Sequence, residues 1–425
     1  MKYGHAPMTE LLQDVFDSSH ENTNRPLRWL FIDLNSYFAS IEQELQPQLR
    51  GKPVAVVPVM TDKTCCIAAS YEAKAFGIKT GTMVTEARKL CPEIQFIEAR
   101  HRTYVECHHA IVQAVESCLP VAVVVSIDEM ACRLMGSEQT LDKSIQLGHQ
   151  IKAAIREKVG KTLRCSIGIA PNRFLAKVGS DMQKPNGLVV IRASELPGIL
   201  YRLQLNDLPG VGYRMHKRLL QADIHTVEQI CALSKQEMNK LWNGIIGERL
   251  WHWLRGDDLA EPPTQRATVG HSHVLPPELR TDESAYAVAQ KLVHKAVARL
   301  RKMSYWAGSM SVSISFMNDG QWSDKISMVE CQDTLTMLEA LESLWRGRPS
   351  ASGKPLAVGV TLFELVPDHL HTLSLFEDKK RTRLSKAMDA INAKYGSDTV
   401  YFGGIHHVKH AAPTRIAFTS ILDWF

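Results

Sequence analysis

The sequence predicts a multidomain protein, α/β in its first half and α+β in its last third. Three observations carry this. Strands and helices alternate from residue 27 to about residue 191, the order of an α/β body with a mixed sheet. Residues 194–256 then read as helical, broken by "LPGVG" (208–212) and "NGIIG" (243–247). After residue 268 the order becomes strand, helix, strand, strand, helix, strand, a βαββαβ module of about 100 residues. At 425 residues the chain is too long for one ordinary domain.

The elements follow in order. "LRWLFIDL" (27–34) is an apolar run that reads as a buried strand. "SYFASIEQEL" (36–45) has Tyr37, Ile41 and Leu45 at helical spacing, and "KPVAVVPV" (52–59) is a second strand. "TCCIAASYEAKAFGIKTG" is a strand feeding a short helix that Gly77 ends. Residues 102–119 form a helix, and "AVVVSIDEMACRL" (122–134) is the next buried strand. A helix from about Asp142 to Lys158, a strand at 163–170, a helix at 172–182 and "GLVVI" (187–191) complete this part. "RGDDLAEPPTQRAT" (255–268), with two prolines, reads as a linker. Beyond it lie a strand at "VGHSHVL", a helix at 283–302, alternating strands at 309–316 and 356–365, a strand at "SDKISMVE" and a helix at 333–345. The tail, 367–425, holds "TLSLF" and an amphipathic helix around 381–394.

Net charge is +5, a balance that permits an anionic partner without demanding one. The nine cysteines include no C-x-x-C pair, which reads as reduced thiols in a cytosolic protein. No Cys/His cluster completes a zinc site, so His108/His109, His271/His273 and His406/His407 read as surface or strand positions. Residues 1–26 have no continuous apolar core and read as a loosely attached extension rather than a signal peptide. No apolar run is long enough to span a membrane.

The chemistry concentrates in three carboxylates. Asp128 and Glu129 stand side by side at the end of an apolar run, and Asp33 ends the first strand. Two such charges ~4 Å apart repel by ~4 kcal/mol at an effective dielectric of ~20. They need a cation, or a proton on one of them. In a regular strand Asp128 and Glu129 would point to opposite faces. Serving one site therefore requires a strand end or a tight hairpin, with Asp33 on an adjacent strand. Three carboxylates without Cys or His partners favour hard divalent ions, Mg²⁺ above all. A pair of such ions suits phosphoryl or nucleotidyl transfer. The plainer reading of the same residues is a helix cap at Asp33 and a turn at Asp128 and Glu129.

"FIDLNSYFASIEQEL" and "SIDE", 95 residues apart between their aspartates, resemble the two signature segments of Y-family (translesion, DinB/UmuC-type) DNA polymerases. "AASYEAKAFGIKTG" and "CSIGIAPNRFLAKVGSDMQKPNGL" are similar to two further segments of that family, in its order and spacing. The resemblance runs from about residue 28 to 376. It implies a right-hand polymerase: palm at 27–36 and 100–191, small fingers at 37–99, a helix-hairpin-helix thumb at 192–256, a linker at 257–268 and a βαββαβ little finger at 269–366.

Residue by residue, the resemblance implies that Asp33, Asp128 and Glu129 hold two Mg²⁺ ions, with the Leu34 carbonyl as a further ligand. Phe38 falls at the steric-gate position that blocks a ribonucleotide 2′-OH. Tyr71, Lys74 and Lys184 fall where the family contacts the dNTP triphosphate, although many members carry Arg where Lys74 stands. Lys177 reads as a helix-surface or DNA-side cation. Many members follow "SIDE" with an aromatic and a further acid, where this chain has Met130, Ala131, Cys132 and Arg133.

"LNDLPGVGYRMHKRL" fits a helix-hairpin-helix in which Gly210 and Gly212 permit a tight turn whose N–H groups meet a DNA phosphate. "NGIIGERLW" reads as a weaker second copy. Basic residues in "KLVHKAVARLRKM" suit a DNA-gripping face, and a solvated basic face is the plain alternative. In "TLSLF" (372–376), Leu373, Leu375 and Phe376 resemble a bacterial sliding-clamp-binding peptide, with Thr372 where Gln is usual.

The expected protein is a low-fidelity translesion DNA polymerase acting on primer-template DNA. It is expected to be bacterial, monomeric, cytoplasmic and nucleoid-associated, and to meet the sliding clamp and other repair or replication proteins. The rival readings are a non-catalytic DNA- and clamp-binding scaffold and a nucleotide-cyclase-like palm enzyme. Retention of the three acids argues against the first, and the helix-hairpin-helix against the second.

Overall fold

The computed structural model describes residues 25–260, 266–317, 320–348, 353–372 and 379–413. The chain divides into two compact units that meet in sequence near residue 261. No helix among the described residues is long and apolar enough to cross a membrane. All nine cysteines are free thiols.

The first unit begins with β1 (Trp29–Leu34) and α1 (Tyr37–Leu45). A small lobe follows: β2 (Val54–Val57), β3 (Ala68–Ala69), α2 (Tyr71–Lys74), α3 (Val84–Leu90) and β4 (Gln95–Glu98). Its three-stranded sheet has the order β3-β2-β4 over a separate apolar core. The strand at 95–98 was not expected, because only its two central residues are even half-buried. Then come α4 (His101–Glu116), β5 (Val121–Val124), β6 (Glu129–Arg133), α5 (Leu141–Lys158), β7 (Cys165–Ala170), α6 (Arg173–Met182) and β8 (Leu188–Val190).

The main sheet has the order β5-β6-β1-β7-β8 and is mixed, since only β7 and β8 run parallel. Leu30, Ile32, Met130, Cys132, Ile167 and Ile169 bury one face in a core shared with α4 and α5 residues such as Tyr104 and Ile151. The apolar run at 122–134 is not one strand. It folds into a hairpin, β5 and β6, with Val125 and Ser126 both donating to the Glu129 carbonyl. The hairpin resolves the adjacent acids: Asp128 closes the turn and Glu129 opens β6.

Close packing brings α6 onto the opposite face. A Cβ on Gly168 of β7 would come within 1.9 Å of the Ala176 carbonyl, so only glycine lets the helix approach this closely. Asn172 caps α6, accepting from the Leu175 N–H at 2.8 Å, and donates to the Trp253 and Asp257 carbonyls.

Four short helices follow: α7 (Tyr213–Gln221), α8 (Val227–Ala232), α9 (Lys235–Trp242) and α10 (Ile245–Leu254). They share a core with α6 and the adjoining sheet residues. The expected linker does not begin free. Asp257 pairs with Arg25 and His252, while Asp258 accepts from the Trp29 indole at 2.8 Å and the Arg133 guanidinium at 3.0 Å.

The second unit is the βαββαβ module: β9 (Thr268–Val274), α11 (Asp282–Lys302), β10 (Tyr305–Phe316), β11 (Gln321–Cys331), α12 (Thr334–Arg346) and β12 (Pro355–Pro367). Its antiparallel sheet has the order β11-β10-β12-β9. Met310, Val312, Val358 and Val360 pack against the two helices. The alternate positions pair in rows, Ser311 with Lys325 and Thr361, Ser313 with Ser323 and Gly359, a face mainly of hydroxyls with one lysine and one glycine.

The tail packs back on this module. Helix α13 (Lys379–Tyr395) supplies Asp389, whose carboxylate takes a bidentate pair from Arg301 at 2.6 and 2.8 Å. Lys291 pairs with Asp398 at 3.0 Å and reaches the Lys409 carbonyl, and Lys295 donates to the Ala412 carbonyl at 2.8 Å. This corrects the reading of "KLVHKAVARLRKM": three of its cations serve the chain's own tail. Leu373, Leu375 and Phe376 lie outside the described residues.

Candidate active site

The antiparallel register sets Asp33 of β1 directly opposite Glu129 of β6. The Leu34 N–H donates to the Asp128 carbonyl at 2.8 Å, which ties the hairpin turn to the end of β1. Asp33 thus meets the adjacent pair Asp128 and Glu129, some 95 residues away in sequence, where β1 ends and β6 begins. Asp33 is buried, at 6% exposure, while Asp128 and Glu129 are half-buried.

Burial pushes the Asp128 carboxyl above the usual carboxylate range. The Ser126 hydroxyl, donating at 2.6 Å, opposes this, and the nearby Asp33 charge reinforces it. Glu129 is likewise raised by burial and by Asp33 and Asp128, against the pull of Lys177.

Lys177 is not a surface cation, as its helical position had suggested. Its ammonium lies 2.6 Å from Asp33 Oδ2, 2.6 Å from Glu129 Oε1 and 3.1 Å from Asp181 Oδ2. Lys184 reaches the same group, 2.8 Å from Asp33 Oδ2 and 2.7 Å from Asp181 Oδ1. For both lysines burial disfavours the charge, yet the surrounding carboxylates outweigh it and hold the ammonium above the ordinary lysine range. Asp181 is a fourth acid that sequence reading missed. Its signal was the i,i+4 spacing from Lys177 and the i,i+3 spacing to Lys184.

The expected triphosphate contacts gather beside this cluster. Lys74 lies 4.5 Å from the centre of the Tyr71 ring. Burial and the Lys184 charge lower the Lys74 ammonium, while burial raises the Tyr71 hydroxyl. The Lys184 loop is fastened to the end of β1 by Asn35, which accepts from the Asn186 N–H at 2.8 Å and donates to the Ser166 hydroxyl at 3.1 Å. Phe38 is 4% exposed and stacks on Tyr104 at 4.3 Å. Beside Glu129 and Lys177 a cavity of about 590 Å³ opens, walled by Trp29, Phe31, Phe174 and Trp253.

A divalent cation suits this donor set. The ammonium of Lys177 already occupies an oxygen-lined position between Asp33 and Glu129, and the donors are carboxylates with no sulfur or imidazole among them. Among the described residues no group of three or more His, Cys, Asp or Glu stands ready around an open metal position, and Lys177 fills the gap between the acids.

In the helical segment, Gly210 has φ +88°, which favours glycine. Gly212 precedes α7 with φ −82° and needs no such freedom. Asn243 and Gly244 also have positive φ ahead of α10.

Comparison with known proteins gives the chain's family. A profile of the impB/mucB/samB family matches residues 32–181, one of its C-terminal domain matches 266–375, and a "DNA polymerase-iota, thumb domain" profile matches 206–258. The DNA polymerase IV of Moorella thermoacetica is 33% identical, over 88% of this chain and 94% of its own. That of Pelotomaculum thermopropionicum is 31% identical, over 87% and 93%. Among solved structures, a Y-family DNA polymerase chimera of Dbh and Dpo4 superimposes with a TM-score of 0.67 at 24% identity, covering 80% of this chain and 99% of that one. An insertion ternary complex of Dbh DNA polymerase gives 0.56, also at 24% identity with 80% and 99% coverage.

Proposed function

Since the chain belongs to the Y family of DNA polymerases, DinB/UmuC type, and is a DNA-directed DNA polymerase, we propose that Asp33, Asp128 and Glu129 hold two Mg²⁺ ions and that it copies damaged templates at low fidelity. The observation that carries this is the Asp33–Glu129 register with Asp128 tied alongside. When bound, the two ions supply activation of the primer 3′-hydroxyl and neutralisation of the charge on the departing pyrophosphate.

The chain's own residues do the rest. The Leu34 carbonyl, at the end of β1, adds a neutral oxygen to the acid set. Lys184, Lys74 and Tyr71 bind the triphosphate of the incoming dNTP, which draws Lys184 away from Asp33. The Phe38 ring, braced by Tyr104, excludes a ribose 2′-OH. The cavity beside Glu129 leaves room for the primer end, and residues 37–99, with the small lobe as their greater part, act as short fingers over an open site. An open site weakens shape selection against mismatches and lesions.

Residues 27–36 and 100–191 serve as palm, 192–256 as thumb and 269–366 as little finger. The turn at Gly210 and Gly212 meets a DNA phosphate through backbone N–H groups. The hydroxyl-rich face of the second sheet, with Lys325 on it, suits a sugar-phosphate backbone. Leu373, Leu375 and Phe376 bind a sliding clamp.

Primer extension with Mg²⁺ on undamaged and lesion-bearing templates tests the reading. The wild type extends both, and Asp128→Ala/Glu129→Ala extends neither. Extension by both proteins would remove the acids from catalysis, and extension by neither would favour the scaffold.

A further inference from the structure

Lys177 has a position that the polymerase reaction does not require. Its ammonium stands between two carboxylates assigned to the metals, 2.6 Å from each, and Asp181 lies one helical turn away at 3.1 Å. A divalent ion and this ammonium cannot share the space, because like charges repel at such distances. We propose that Lys177 is a resident counter-ion that competes with the divalent metals, holding the acids together in the metal-free enzyme and swinging onto Asp181 when a metal binds. This rests on the assignment of Asp33 and Glu129 as metal ligands.

Three features bear on this role. The ammonium, 2.6 Å from both carboxylates, offsets the mutual repulsion of the acids. The Lys177 Nζ also lies 5.4 Å from the Phe31 ring centre, a cation–π contact that adds to its hold on this position. Asp181 is 33% exposed at its side chain and accepts from both lysines, so it can keep the displaced ammonium paired. Metal occupancy is thereby tied to a full complement of cations. A single weakly bound ion does not readily displace the lysine, whereas metal arriving with nucleotide does, because the triphosphate also attracts Lys184.

The test titrates the full-length protein with Mn²⁺ alone, reading free Mn²⁺ by electron paramagnetic resonance. Binding by the wild type or by Lys177→Met that is lost when Asp128→Ala/Glu129→Ala is added establishes the acids as the site. If that loss is not seen, the metal assignment itself fails. With the acids established, Lys177→Met and Lys177→Gln bind Mn²⁺ tighter, on the order of tenfold. Mn²⁺ also raises their melting temperature by more than it raises the wild type's. A purely structural lysine would give equal or weaker binding when replaced, and that result overturns the proposal. Asp181→Asn weakens Mn²⁺ binding when Lys177 is present and has less effect in the Lys177→Met background. An equal effect in both backgrounds overturns the role given to Asp181.

Discussion

Replacing Phe38 separates packing from sugar selection. The ring is 4% exposed and lies 4.3 Å from Tyr104 in a near-parallel stack. Tyr104 is itself fixed: its hydroxyl donates to buried Glu42 at 2.8 Å, and its carbonyl accepts from Tyr37. The surroundings therefore collapse little around a smaller side chain. Phe38→Ala should cost about 3–5 kcal/mol, the usual range for an aromatic removed from a core. At about 2–4 °C per kcal/mol for a unit of this size, the melting temperature falls by on the order of 10 °C. Phe38→Leu keeps most of the volume and should cost less than about 2 kcal/mol. Sugar discrimination follows the loss of the ring. Both variants should accept ribonucleotides more readily, Phe38→Ala by on the order of 100-fold. Single-nucleotide insertion with matched dNTP and rNTP, below the lower melting temperature, measures this. Unchanged discrimination in both folded variants would refute the gate and leave Phe38 as a core residue.

Three further outcomes are expected. Asp128 is raised by burial first, so its ionisation opposes folding: the cost is absent below the unfolded carboxyl value and grows as pH rises through the folded one. Asp128→Asn should therefore stabilise the metal-free protein at pH 7 by roughly 0.5–2 kcal/mol while abolishing extension, and the gain should close as pH falls into the carboxylate range; a melting-temperature series against pH reads it. Asp389→Ala removes the carboxylate facing Arg301, 6% exposed at its side chain and left with only the Gln332 carbonyl and Thr334 hydroxyl among the described residues, and should cost the second unit about 3 kcal/mol, seen in thermal denaturation; an unshifted melt would deny the tail its structural role. Deleting residues 372–376 should abolish capture by a sliding clamp and spare clamp-independent extension, whereas retained capture would place the contact elsewhere.

Much of the fold was legible because apolar runs and helical spacing report burial directly. β1 and β7 fall within the runs that marked them, and β12 covers its run and extends past it at both ends. The hairpin at 121–133 was half legible: two adjacent acids demanded a break in alternation, yet the Val run hid where it falls. β4 was missed because half of its short span is exposed. The three acids stood out by their place at the ends of apolar runs, but a helix cap and a turn explained them equally until the family resemblance joined them. Lys177 could not be found, because helical spacing does not say what faces the helix; that depends on Gly168 letting α6 approach the sheet. The basic residues of α11 were misjudged for a related reason. Their partners, Asp389 and Asp398, lie about a hundred residues away, and no local pattern joins them.

The most direct measurement is an anomalous difference map from crystals grown with Mn²⁺, primer-template DNA and a non-hydrolysable dNTP. The account predicts two peaks about 3.5–4 Å apart, touched by the carboxylates of Asp33, Asp128 and Glu129, with Lys177 withdrawn toward Asp181. Metal peaks away from these carboxylates, or a bound pair that leaves Asp33 untouched, would contradict it.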